Sequence, residues 1–277
     1  MLNGDTRIIA HVGYPTTTFK SSMIYNPWFD AHGVNAAVVP LGVRSEDFPR
    51  AFPEIARFTN FCGALITMPH KVSVIALLDE VSTAVKVAGS CNAVRRAEDG
   101  RLVGDMFDGE GFVRGLSHNG ATLAGARLLV VGCGGVGSAI AASAAAAGAA
   151  EIALYDLNAA SMVALADRLK AGYPRLSVLV GSNDPKGFDV AVNATPLGMY
   201  PGDPMPLDVS RLDARTFVGE VVLKHETTAF LAAARARGCR TQIGVDMLFE
   251  QIPAYLEFFG FPTATPEELR AGAEIDY

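Results

Sequence analysis

Short apolar runs recur down the chain, each ended by glycine, proline or a polar cluster. Between them lie segments whose apolar positions repeat every three to four residues. The runs from Arg7 to Val12 (closed by Gly13), Asn35 to Pro40 and Gly63 to Ile66 predict buried strands. The segments from Ser22 to His32 (stopped by Gly33), Asp47 to Phe58 (with Pro53 as a break or kink) and Lys71 to Leu78 predict helices. Strands alternating with helices imply a mostly parallel sheet. The pattern then changes. Cys91 to Arg96 and Arg101 to Val103 flank Glu98-Asp99-Gly100, the signature of a hairpin, and a helix is expected from Asp108 to Ser117.

The stretch from Arg127 to Asp156 is the most ordered in its grammar. An apolar run ends at Gly132, and Gly134 and Gly137 follow in G-x-G-G-x-G spacing. An alanine-rich helix former comes next, then a second apolar run ending at Asp156. Strand, tight turn, helix, strand and acid in this order predict a dinucleotide-binding unit. Gly132, Gly134, Gly135, Val136 and Gly137 are its phosphate turn, set against the positive end of a helix. Asp156 is placed to accept hydrogen bonds from an adenosine ribose. A carboxylate there would repel a 2′-phosphate, and Leu157-Asn158 follow it with no arginine, so the expected cofactor is NAD rather than NADP.

Further strands are expected at 176–180, 189–194, 217–222 and 240–243, with helices at 159–171, 228–237 and 247–258. Thr265-Pro266-Glu267-Glu268 reads as a capping box. The whole predicts an α/β fold of two domains. Residues 1–117 form an α/β substrate domain, 118–238 a Rossmann-type cofactor domain, and 239–277 return to the first.

Composition narrows the function classes. A net charge of −6 gives no general attraction to nucleic acid or an anionic membrane. No apolar run reaches membrane-spanning length, and Met-Leu-Asn-Gly-Asp-Thr-Arg is not followed by a secretory leader's apolar core, so the expectation is a cytoplasmic chain. Four scattered cysteines suit buried apolar positions in a reducing compartment, and five dispersed histidines argue against a metal site. The chain is expected to act as a monomer or homodimer.

Lys71 follows a strand and a Thr-x-Pro turn at a predicted helix start, where the helix dipole would disfavour its ammonium. Asp108 opens a helix, a position that equally suits a cap. Together they offer an acid/base couple for an alcohol that must lose a proton as it loses a hydride. Thr67, Asn92 and Gln251 are uncharged groups able to grip a polyol. Asn193 and Thr195 end a strand and are candidates for lining the nicotinamide.

Five motifs then carry a resemblance. Gly63-x-x-Ile-Thr67-x-Pro69-x-Lys71, Gly89-Ser-Cys-Asn92, Gly104 through Asp108-Gly109-x-Gly111, Asn193-Ala-Thr-x-x-Gly198-Met199 and Gly244-x-x-Met247-Leu248-x-x-Gln251 resemble those of the shikimate/quinate dehydrogenase family. The resemblance covers nearly the whole chain. It implies Lys71 and Asp108 as the catalytic pair. It implies Ser21, Thr67, Asn92 and Gln251 as ligands of a cyclic carboxylate, and Gly244 and Met247 on the cofactor side. The implied reaction is reversible oxidation of a ring hydroxyl of shikimate or quinate.

The departures lie at the carboxylate end. The family's first carboxylate-holding serine is Phe19 here, and only Ser21 remains. The asparagine of its G-x-N-V-T is Leu65, its N-T before the aspartate is Met106-Phe107, and the tyrosine and proline of V-Y-x-P-x-x-T are Leu223 and His225. Losing one hydrogen bond to a charged group costs about 1.5–3 kcal/mol, roughly ten- to a hundredfold in affinity. The alternatives are therefore the same chemistry on an amino-substituted or less polar ring acid, or a non-catalytic sensor of a ring acid and a dinucleotide.

Overall fold

Aliphatic and aromatic runs become strands, and helices bury one stripe against them. The computed structural model describes residues 2–275. In chain order come β1 (Arg7–Gly13), α1 (Ser22–Ala31), β2 (Ala36–Gly42), α2 (Phe48–Ala56) and β3 (Phe61–Ile66). α1 buries Ile24, Tyr25, Trp28 and Phe29, and α2 buries Phe48, Phe52 and Ala56, each set spaced to share a helix face. Pro53 lies inside α2.

The helix expected from Lys71 to Leu78 is instead a five-residue 3-10 turn, Ser73–Leu77. Its β-branched Val72, Val74 and Ile75 disfavour a longer α-helix. Two elements not foreseen follow: β4 (Glu80–Val81) and α3 (Thr83–Ala88). The hairpin is β5 (Ala93–Arg96) and β6 (Leu102–Asp105), and α4 runs Asp108–His118. The glycine-rich unit is β7 (Arg127–Val131), α5 (Gly135–Ala146) and β8 (Glu151–Tyr155). Then come α6 (Ala159–Gly172), β9 (Ser177–Val180), β10 (Val190–Asn193), β11 (Phe217–Glu220), α7 (Ala229–Ala236), β12 (Thr241–Gln242), α8 (Gly244–Phe258) and α9 (Pro266–Gly272).

The described residues divide into two units. One holds 2–85, 90–107 and 252–275, the other 86–89 and 108–251. α4, read from the sequence with the first domain, groups with the second unit. The first unit carries a mixed six-stranded sheet in the order β2-β1-β3-β5-β6-β4. β1 runs parallel to β2 and β3, while β3, β5 and β6 are antiparallel in turn. In that register His11 of β1 stands beside Leu65 of β3. At the β2 edge the Asn26 side chain hydrogen-bonds both backbone groups of Val38, donating to its carbonyl at 3.1 Å and accepting from its N–H at 2.8 Å.

The second unit carries an all-parallel six-stranded sheet, β12-β11-β10-β7-β8-β9. This is the doubly wound dinucleotide-binding order, with the strand order reversing at β7. Its core gathers Leu129, Val131, Ala191, Val218, Phe230 and Leu231. Among the described residues, no helix is long and apolar enough to cross a membrane.

Candidate active site

In the first unit the polar candidates converge where β1 and β3 end. The Thr67 N–H donates to the Val12 carbonyl at 2.9 Å, which ties the two strand ends together. Lys71 is half-buried in the turn that follows, and its carbonyl accepts from the Cys91 N–H at 2.7 Å. That bond places Asn92, 1% exposed, next to the Lys71 turn. The Asn92 Oδ1 accepts from the Phe107 N–H at 2.9 Å, and its carbonyl accepts from the Tyr255 hydroxyl at 3.3 Å. Its Nδ2 is sealed from solvent with no partner among the described residues. A buried amide donor left unpaired costs about 1–3 kcal/mol, so this atom awaits an acceptor. Ser21 is buried immediately before α1, its carbonyl accepting from Ile24 and Tyr25. The dipole argument for Lys71 does not hold, because the α-helix on which it relied is a short 3-10 turn beginning two residues later.

The sequence reading missed His11. It is 7% exposed, its ring stacks on Phe19 at 4.0 Å between centroids, and its Nδ1 has no partner among the described residues. Burial, and then the charge of Lys71, lower its pKa to about 3, so the ring is neutral. The signal was present: a lone polar residue inside an apolar strand run.

In the second unit, Asp108 is buried in the first turn of α4. Gly111, one turn on, faces the Met247 carbonyl and Gln251 Cβ of α8, with no room between them for a side chain. α4 and α8 thus bring the segment of Asp108 beside that of Gln251 and Met247. Gly244 begins α8.

The glycine turn is built at the end of β7. Gly132 has φ +104°, a conformation closed to most side chains, and its N–H donates to the Tyr155 carbonyl at 2.7 Å. Gly137 sits on the Gly132 carbonyl, so that the first turn of α5 touches the strand end. Gly134 is exposed with open space above it, and Gly135 and Val136 start the helix beneath. These residues fit a pyrophosphate, with backbone N–H groups at a helix start and no side chain in the way. On the neighbouring strand the Asn193 Oδ1 accepts from both the N–H and the hydroxyl of Thr195, at 3.1 and 2.6 Å. Beside Asn193 in register, at the end of β11, stands Glu220, fully buried. Its Oε2 accepts from the Thr228 hydroxyl at 2.7 Å and its Oε1 has no partner among the described residues. Burial raises its pKa to about 7, against the pull of Thr228, Arg235 and Asn193.

Asp156 stands at the end of β8 as expected, and each of its carboxylate oxygens holds a backbone N–H. One oxygen accepts from the Cys133 N–H at 2.6 Å and the other from the Asn158 N–H at 2.7 Å. Among the described residues, no three His, Cys, Asp or Glu side chains are grouped to hold a metal ion.

Residues 12–94 match the shikimate dehydrogenase substrate binding domain. The chain is 31% identical over 277 residues to the shikimate dehydrogenase (NADP(+)) of Acidiphilium cryptum, covering 100% of this chain and 99% of that one. It is 34% identical over 254 residues to the enzyme of the same name from Rubrobacter xylanophilus, covering 90% and 89%. Among solved structures, 5-ketofructose reductase of Gluconobacter sp. strain CHM43 superposes with a TM-score of 0.86 at 25% identity, covering 98% of each chain. The NADP(+) in the names of these relatives corrects the expectation of NAD. That expectation rested on Asp156 as a free charge; each of its oxygens accepts a backbone N–H, one from the glycine turn and one from the loop after β8, which spreads the charge and weakens its repulsion of a 2′-phosphate.

Proposed function

This chain belongs to the shikimate/quinate dehydrogenase family, and from that premise we propose that it oxidises a ring hydroxyl of shikimate or quinate reversibly, with Lys71 and Asp108 as the acid/base pair. It is an NAD(P)-dependent oxidoreductase acting on a shikimate- or quinate-like ring acid, which sets aside the sensor alternative. When bound, the dinucleotide supplies the hydride acceptor. The chain's own residues do the rest. The Lys71 amine takes the hydroxyl proton in oxidation and returns it in reduction, and the Asp108 carboxylate orients that amine and balances the positive charge it gains. Asn92, Thr67, Ser21 and Gln251 hold substrate oxygens. Gly132, Gly134, Gly135, Val136 and Gly137 carry the pyrophosphate, and Asn193, Thr195, Gly244 and Met247 border the nicotinamide side.

The observation that carries this reading is the Asn92 Nδ2, a buried donor beside the Lys71 turn without an acceptor among the described residues. A substrate oxygen satisfies it. A second reading has one specific support. Phe19 stacks on a neutral His11, with Leu65 beside it, which suits a less polar substrate. The 5-ketofructose reductase, similar over nearly its whole length, is named for an uncharged substrate. The test is a kinetic screen of shikimate, quinate and 5-ketofructose with NADP(+) and NADPH. Lys71→Ala should lower kcat on the best substrate by about 10²–10⁴-fold. Undiminished turnover in that variant would exclude the role given to Lys71.

A further inference from the structure

His11 has no part in the acid/base chemistry proposed above, yet three features of the first unit isolate it. It is a polar side chain more than nine-tenths buried on a central strand, and its Nδ1 is unpartnered among the described residues. Two of its neighbours are apolar: Phe19 stacks on it at 4.0 Å and 20°, and Leu65 stands beside it in register. Space is held open for that stack by Gly13, where a side chain would run into Phe19 and Thr67. Burial and the charge of Lys71 keep the imidazole neutral at any working pH, its pKa being lowered to about 3.

A neutral imidazole carries one proton. On Nδ1 it would be a sealed donor with no acceptor, the costlier of the two tautomers. The proton therefore belongs on Nε2, available to an oxygen brought by a ligand. Without charge, the ring gives a carboxylate no ion pair, and Phe19 and Leu65 give it no hydrogen bond. A hydroxyl or a ketone needs neither.

We infer that His11 is a substrate-binding residue, which donates its Nε2 hydrogen to an uncharged oxygen of the substrate and, with Phe19 and Leu65, selects a ligand whose edge at this point is neutral. The inference rests on the proposed function for the kind of ligand, and it adds which end of that ligand carries no charge.

The test measures binding of quinate, shikimate and uncharged myo-inositol by calorimetry, beside turnover with NADP(+). The proteins are the wild type, His11→Phe, His11→Gln and Phe19→Ser. His11→Phe keeps the ring volume and the stack but has no donor, and His11→Gln keeps a donor. At unchanged unfolding temperature, His11→Phe should weaken binding of the preferred ligand about three- to tenfold, the scale of one neutral hydrogen bond. It should raise KM with kcat within about twofold, and His11→Gln should recover most of the loss. Phe19→Ser should shift preference towards the acids. Equal binding by wild type and His11→Phe overturns the inference whatever the turnover. So does a wild type that binds none of the three. Weaker binding in His11→Phe, in a wild type that turns none of them over, keeps His11 and overturns the proposed function instead.

Discussion

Glu220 gives the sharpest test of the physical reading of the second unit. Replacing it by glutamine keeps shape and hydrogen-bonding capacity while removing the titration. The magnitude follows from the carboxyl's pKa, which burial lifts from 4.5 to about 7. The gap is worth about 3 kcal/mol at about 1.4 kcal/mol per pH unit. The sign is set by which state binds the proton more tightly. Below about pH 4.5 the group is protonated in both states and its contribution to stability is complete. As pH rises towards 7 the unfolded chain ionises first, folding takes up a proton, and stability is lost. Above about pH 7 the folded protein holds a buried carboxylate whose Oε1 has no partner among the described residues, and the whole penalty stands. Urea unfolding of wild type and Glu220→Gln from pH 4.5 to 8.5 isolates the term, since other groups cancel between the two proteins. The variant should gain about 3 kcal/mol on the wild type across that range. A difference that does not change with pH would refute the reasoning.

Two further outcomes follow from close packing. Gly137→Ala would drive a methyl into the Gly132 carbonyl, a backbone atom with little room to move. It should cost about 1–3 kcal/mol and several degrees of unfolding temperature by calorimetry, and weaken NADP(+) binding in the same protein. Arg168 of α6 donates to the carbonyls of Val87 and Ala88 at 2.8 and 3.0 Å, closing the end of α3. Arg168→Ala should lower stability by about 2 kcal/mol in urea unfolding, whereas an exposed arginine would change it by less than about 0.5.

Much of the frame was legible because local chemistry and burial agree. Asn158 caps α6 by accepting from the Ser161 N–H at 3.2 Å, and Thr265 and Glu268 form the expected capping box at α9. β7, its glycine turn, α5 and β8 fall where their apolar runs and turn residues put them. What was missed has a physical cause in each case. β4 is two residues long, too short to show alternation, and it exists because Glu80 and Val81 find β6 to pair with. The turn after Lys71 begins like a helix, but its β-branched residues favour a tighter winding. The preference for NAD took Asp156 as a free charge, because a sequence does not disclose that each of its oxygens holds a backbone N–H. His11 and Glu220 were read as mere members of strands. A titratable residue inside an apolar run is itself a signal, since burial must either pair it or strip its charge.

The carboxamide of Asn26 has a consequence at the border of the first sheet. β2 lies at the end of the strand order, where backbone groups would otherwise invite a strand from another molecule. At Val38 both groups are already matched by a side chain acting as a one-residue neighbouring strand, and at Pro40 there is no N–H to offer. The border is thereby made a poor template for intermolecular sheet growth, a safeguard against aggregation written into one amide and one imino acid.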